Sequence, residues 1–194
     1  MIMENPEHAV DVEIAERLRS LRTAQSLTID QLAERSGVSR AMISRVERGE
    51  ASPTAQLLSR LCTALGETLS AFFAFGRTSG DPLSRRGDQP LWRDPETGYE
   101  RRAVSPAGTV SRVEVVEVAF PPGGRAAFPP ETAKEGMTQH IWLFAGMLEM
   151  TVAGTTHRLQ AGDCLFMSIT EGHVFHNPGE ATAHYAVILD RGRS

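Results

Sequence analysis

The repeat of the apolar residues changes once along this chain, near residue 76, and that change limits what it can fold into. Residues 10–75 space their apolar side chains three and four apart, the period of an amphipathic helix, with little internal Gly or Pro punctuation. From Val110 onward the texture is short β-branched or aromatic runs separated by Gly/Pro turns, the texture of strands. Residues 76–90 (GRTSGDPLSRRGDQP) are rich in Gly, Pro, Ser and charge and read as a linker. The expectation is an α+β multidomain chain: a helical domain over 10–75, the linker, and an all-β domain over 91–194.

The helical part carries its own boundary signals. A first helix is expected over roughly 12–25, with Ile14, Leu18 and Leu21 on one face. Thr28 followed by Gln31 spells a capping box, which satisfies two orphan amides at a helix start. Gly37 ends that second helix, and Ser39 caps a third that stops at Gly49. Ser52 with Pro53 reads as the next start, Pro standing at the first helical position. The fourth helix carries Leu57, Leu58, Leu61 and Leu65 and ends at Gly66; a short fifth holds Leu69, Phe72 and Phe73.

The second and third helices, joined by a Gly-containing turn, make a helix-turn-helix. At about 100° per residue, Met42, Ile43 and Val46 fall on one side of the third helix. Arg40, Ala41, Ser44, Arg45 and Arg48 fall on the other. Small residues let such a helix enter a major groove, and arginine can bond guanine with two parallel N–H groups. Bulk charge gives no support, because residues 10–77 hold nine arginines against eight acids. DNA affinity would have to come from where the arginines sit.

The stretch LTIDQLAERSGVSRAMISRVERGEASPTAQLLSRLCTALG resembles the XRE-class, lambda-repressor-like helix-turn-helix. The resemblance implies a five-helix domain that binds double-stranded operator DNA. It implies that Arg40, Ala41, Ser44 and Arg45 face bases, with Thr28 and Arg48 nearer the backbone and Ser39 at the helix N-terminus among the DNA-binding residues.

In the second half, strands are expected at roughly 99–104, 110–119, 138–144, 147–153, 155–159, 164–167, 173–176 and 183–189. Tight turns are expected at 121–124 (PPGG), 154–156 (GTT) and 161–163 (AGD). Strand alternation sends Gln139, Ile141 and Leu143 to one face and His140, Trp142 and Phe144 to the other. PPGG, IWLFAGMLEMTV and LQAGDCLFMSITEGHVFHN resemble a cupin, the small jelly-roll barrel; WRDPETGYERRAVSP is similar to the entry strand of cupins fused to this helix-turn-helix. Gly162, Asp163, His173 and Asn177 match the second cupin motif, with Ser168 in place of its proline.

The first cupin motif departs from the family. Counted back from Gly146, its glutamate position holds Gln139. Its histidine positions hold Ala133 and Glu135, or Thr132 and Lys134. Of four expected ligands only His173 remains, so no metal and no cofactor is expected. A two-histidine, one-carboxylate site from Glu135, His173 and His140 would need a one-residue slip that turns the whole strand over. Glu135, Gln139 and His173 instead are candidates for binding a small-molecule effector, with Met137, Leu143 and Phe175 as apolar wall and Arg125 or Arg112 as anion contacts. The family resemblance suggests amino acids, polyamines or sulfur metabolites.

Composition closes off other classes. No apolar run approaches membrane length, so no membrane association is expected. MIMENPEHAV lacks the basic and apolar regions of a secretory signal, which points to a cytoplasmic protein. Cys62 and Cys164 are expected as reduced, buried thiols. The expectation is a homodimeric transcriptional regulator, by default a repressor, with Trp142 and Phe144 as outward apolar residues for the two-fold contact. The alternative is a metal-dependent cupin enzyme of the oxygenase or epoxidase type with an appended helix-turn-helix. A carboxylate at position 139 would favour it; glutamine argues against.

Overall fold

The computed structural model describes residues 6–73, 80–130 and 136–192. Its contacts divide the chain into two compact units, Met1–Phe75 and Gly76–Ser194.

The first unit has four helices, α1 (Pro6–Ala24), α2 (Ile29–Ser36), α3 (Arg40–Glu47) and α4 (Ala55–Ala64), then a single turn, α5 (Leu69–Phe72). The first helix begins six residues before the expected start, at Pro6. The signal was present, since a proline's missing N–H costs nothing at the first helical position. The Thr28 hydroxyl accepts the Gln31 N–H at 3.1 Å and Gln31 Oε1 accepts the Thr28 N–H at 2.8 Å, completing the capping box. Gly37 closes α2 in the left-handed region, φ 64°. Ser39 caps α3 through the Met42 N–H. The start of α4 differs from expectation: Thr54, not Ser52, is the cap, accepting the Leu57 N–H at 3.2 Å. Pro53 is buried just before that cap, and the Ser52 hydroxyl donates to Asp11 of α1 instead. Ile14, Leu18, Leu32, Ile43, Leu58, Leu61 and Phe72 form a fully buried core. Each such side chain contributes about 1.5–3 kcal/mol on burial.

The second unit is two antiparallel sheets packed face to face. The six-stranded sheet contains β1 (Leu91–Arg93), β2 (Glu100–Ala103), β3 (Val113–Phe120), β5 (Thr138–Ala145), β8 (Cys164–Ser168) and β10 (Ala183–Asp190) in the order β1-β2-β3-β10-β5-β8. The four-stranded sheet contains β4 (Arg125–Phe128), β6 (Met147–Val152), β7 (Thr155–Gln160) and β9 (His173–His176) in the order β4-β9-β6-β7. Strands β1 and β4, which the sequence texture does not reveal, are only three and four residues long. The hairpin turn between β6 and β7 is Ala153–Gly154 rather than residues 154–156: both have positive φ, 47° and 81°. That pair of left-handed residues matches the twist of the flanking strands. Gly146, where β5 gives way to β6, is at φ 80°, and a Cβ there would lie 2.8 Å from the Thr182 carbonyl oxygen, so no larger residue fits.

A run of rings crosses the space between the sheets. Tyr99 meets Trp92 and Phe120 edge-on, Phe120 meets Tyr185, and Tyr185 stacks on Phe175 at 5.7 Å and 12°. Burial pushes both tyrosine hydroxyls up, Tyr185 the further, so both stay neutral at any physiological pH. Asn177, fully buried, donates to the Phe120 and Ala181 carbonyls at 2.9 Å each and accepts the Gly179 N–H. This motif asparagine therefore ties β9 to the end of β3, with every polar atom of its side chain satisfied.

Candidate nucleic-acid interface and candidate effector site

On α3 the burial pattern divides the side chains as the angular reading expects. Ile43 and Val46 are buried and Met42 is half-buried, while Arg40, Ala41, Arg45 and Arg48 are exposed and Ser44 is half-buried. Thr28 and Ser39 are exposed, and both hydroxyls are engaged as helix caps. The seven residues expected at DNA thus lie on α3 and on the caps of α2 and α3.

The contacts that set α3 in place were not legible in the sequence. Arg22 of α1 donates Nε to Glu47 Oε1 at 2.6 Å and Nη2 to Oε2 at 2.8 Å, and its Nη1 donates to the Leu27 carbonyl at 2.7 Å. Arg60 of α4 donates Nε to the Ser36 carbonyl at 3.1 Å and Nη2 to that of Gly37, so α4 holds the turn between α2 and α3. These arginines were indistinguishable by residue type from those on the exposed side.

Two of the exposed arginines, Arg40 and Arg48, are paired with acids. Arg40 Nε lies 3.2 Å from Asp30 Oδ1. Arg48 grips Glu50 with Nε and Nη2, both at 2.7 Å, and donates Nη1 to Ser44 Oγ. Hydrogen bonding to Arg48 holds the Glu50 carboxyl below its ordinary range, with Arg48 and Arg45 adding attraction.

In the β unit, Gln139 projects inward from β5 with Ile141 and Leu143, and His173 projects inward from β9 with Phe175. The two residues come from opposite sheets and face the same interior. The Gln139 amide nitrogen donates to Met167 Sδ at 3.4 Å, a weak acceptor. His173 stacks on Phe128 at 5.3 Å and meets Phe175 edge-on. Its Nδ1 lies 3.0 Å from the Glu171 carbonyl oxygen, which only accepts. The proton therefore sits on Nδ1, and Nε2 carries the lone pair. Burial pushes the His173 pKa down, the bond to Glu171 opposing it, so the ring is neutral near pH 7.

Met137 and Leu143 are buried as expected of a wall, Met137 against Ile169 and Leu189. Glu135, with Thr132, Ala133 and Lys134, lies outside the described residues. Arg125 and Arg112 are not part of the interior: Arg125 is exposed opposite His176, and Arg112 donates to the Gly192 carbonyl at the surface. His140 points outward against Phe166, so β5 has not slipped by a residue. His157 and His184 are exposed, and His176 pairs with Glu149 at 3.1 Å on the outer face. Among the described residues, which leave out 131–135, no three His, Cys, Asp or Glu side chains converge, and an amide stands at the carboxylate position.

The outer face of the six-stranded sheet has an apolar end. Trp142 and Phe144 are each 46% exposed and meet edge-on at 4.9 Å; Phe166 of the edge strand β8 is 59% exposed. Phe166, His140, Ile188 and Val115 stand side by side across β8, β5, β10 and β3. Cys164 is exposed beside Trp142 on this face, which corrects the expectation that both cysteines are buried; Cys62 is. The outward side of β8, not residue type, decides the exposure: Met167, turned inward on the same strand, is buried.

Two units of this kind define a helix-turn-helix protein with a cupin second half. A helix-turn-helix family model (HTH_3) matches residues 18–72 and a cupin domain model (Cupin_2) matches 116–189. The chain thus carries an XRE-type helix-turn-helix domain and a C-terminal cupin domain. It is 26% identical over 184 residues to the HTH-type transcriptional regulator SutR of Escherichia coli strain K12, across 91% of this chain and 94% of SutR. It is 24% identical to the regulator PuuR of the same organism, across 83% of this chain and 85% of PuuR. An HTH_3 family transcriptional regulator from Vibrio cholerae shares the fold with a TM-score of 0.75 and 24% identity, over 96% of this chain and 99% of that one. No helix among the described residues is long and apolar enough to cross a membrane.

Proposed function

We propose that this protein is a cytoplasmic, sequence-specific DNA-binding transcriptional regulator that acts as a dimer and represses by occluding its operator. The observation that carries the reading is α3: a buried Ile43–Val46 back, an exposed front of Arg40, Ala41, Ser44 and Arg45, and a capped N-terminus. In this geometry the N-terminal residues of the second helix reach base edges while amides and caps position phosphates. Thr28 and Arg48 serve the backbone. Two recognition helices must meet half-sites about 34–36 Å apart, which requires a second copy.

The second copy docks on the apolar end of the outer sheet. Phe166, Trp142 and Phe144 form one neutral patch beside the free edge of β8, while the other end of the face is closed by Glu117 ion pairs with Arg102 and Arg86. An uncharged patch of this kind is suited to a self-complementary contact.

The cupin interior binds the effector. Gln139 and His173 offer neutral hydrogen-bonding groups among Phe128, Phe175 and Met167. Such a site suits a small uncharged or weakly polar molecule that donates a hydrogen bond to His173 Nε2. The effector must prefer one arrangement of the two DNA-binding units, or it shifts nothing; the linker at 76–90 carries that preference.

Selection of bound sequences from a random duplex library tests the DNA reading. Enrichment of a site with two-fold related halves is expected; no enrichment above input overturns it. Native mass spectrometry of freshly purified protein tests the rest. A dimer without metal is expected, alone or with one small organic mass per subunit. Stoichiometric iron would bring the enzyme alternative to the front.

A further inference from the structure

All the nitrogens of the Arg48 guanidinium are engaged within the helical unit: Nε and Nη2 on Glu50, Nη1 on Ser44. The partners lie at the surface, with Arg48 and Glu50 side chains each 52% exposed. Arg40, at the other end of α3, is paired with Asp30 across to α2 while 71% exposed. So the two outer arginines of the recognition helix each face a carboxylate, and Arg45 lies between them. Surface pairs of this kind add little to stability, since solvent screens them. Their effect falls on what else the arginines can bind.

Sequence-independent DNA affinity comes from cations that replace condensed counterions along the phosphates. An arginine held by a carboxylate releases no counterion until it lets that carboxylate go, and the freed carboxylate then repels the phosphates. At the right base sequence, two-pronged contacts and hydrogen bonds repay the exchange; on random sequence nothing does. We infer that Asp30 and Glu50 act as guard carboxylates that lower affinity for random DNA, and that Asp30, by holding the base-facing Arg40, also widens the gap between operator and non-operator binding. The inference rests on the DNA-binding reading. It also accounts for a helix-turn-helix unit with almost no net charge, nine arginines against eight acids over residues 10–77.

The test uses the full chain and a fluorescent random-sequence duplex, with binding followed by anisotropy between about 50 and 200 mM salt. Glu50→Gln should bind roughly five- to tenfold more tightly at 0.1 M salt, with a log–log salt slope steeper by about 0.9, the signature of one added phosphate contact. Asp30→Asn should shift in the same direction. Glu13→Gln removes the same charge from an exposed position on α1 and should change little. The double variant Arg48→Gln/Glu50→Gln should lose the gain, because the gain runs through Arg48. Melting curves matching the unmodified protein establish that each variant folds.

If the unmodified protein binds the duplex and Glu50→Gln matches it, or does no better than Glu13→Gln, the guard role is overturned while DNA binding stands. If neither the unmodified protein nor Glu50→Gln binds any duplex at the lowest salt, the DNA reading itself fails.

Discussion

Arg22 near the end of α1 and Glu47 in the last turn of α3 form a two-armed ion pair, at 2.6 and 2.8 Å, with side chains only 12% and 7% exposed. The third nitrogen of Arg22 donates to the Leu27 carbonyl, so one guanidinium joins α1, the loop after it and α3. The pair sets the end of the proposed recognition helix without facing DNA itself.

Arg22→Met should therefore destabilise the helical unit by about 3 kcal/mol, because it strands a nearly buried carboxylate. Pairing it with Glu47→Leu should restore most of the loss. Urea melts of the full chain, followed at both transitions, measure this. A loss under about 1 kcal/mol for Arg22→Met would mean that Glu47 reaches solvent easily.

Arg40 stands at the N-terminal end of α3, where side chains reach base edges. Arg40→Ala should cost about 1–3 kcal/mol of discrimination between the selected operator and random DNA. Competition binding with the two duplexes gives the number. Unchanged discrimination would remove Arg40 from the base-reading set.

Phe166→Arg places a charge at the edge-strand side of the exposed apolar end of the six-stranded sheet. It should shift the protein from dimer to monomer in light scattering at micromolar concentration, and operator affinity should fall with it. Since Phe166 is 59% exposed, the fold should survive. A dimer of unchanged strength would place the two-fold contact elsewhere.

His173 has a folded-state pKa below its ordinary value, because burial disfavours the charged ring. Between that depressed value and the ordinary one, about 6.5, the unfolded chain takes up a proton that the folded barrel refuses. Stability is thus complete above about pH 6.5 and is lost as the pH falls toward the folded value. The melting temperature of the β unit should drop from pH 7 to pH 5, and less so in His173→Gln. The Glu149 carboxyl, held down by hydrogen bonding to His176, loses its own contribution only below its ordinary value of about 4.5, outside that window. Equal pH slopes in both proteins would remove His173 as the source of the acid sensitivity.

Local chemistry was legible in the sequence wherever a residue acts on its own neighbours. Thr28, Gln31, Gly37 and Ser39 cap helices because their side chains, or the lack of one, let backbone groups within four residues be satisfied. Alternation sends Gln139 inward and Trp142 outward because a strand has a period of two. The departures occur where the signal is short or non-local. Strands β1 and β4 are too brief to show a period, and the cap moved from Ser52 to Thr54 because Ser52 is drawn to Asp11, forty-one residues away.

What the sequence by itself determined is the pair of folds and the side of α3 that faces outward. Periodicity and capping depend on spacing, and spacing is written in the chain. What only the tertiary structure decided is the partner of each charge. Nineteen of the twenty basic residues are arginines, alike on paper. Arg22 is buried against Glu47, Arg60 closes the turn after α2, Arg48 is held by Glu50, and Arg40 is paired with Asp30. Electrostatic and hydrogen-bond energies depend on distance and burial, and the chain brings those partners together only when it folds.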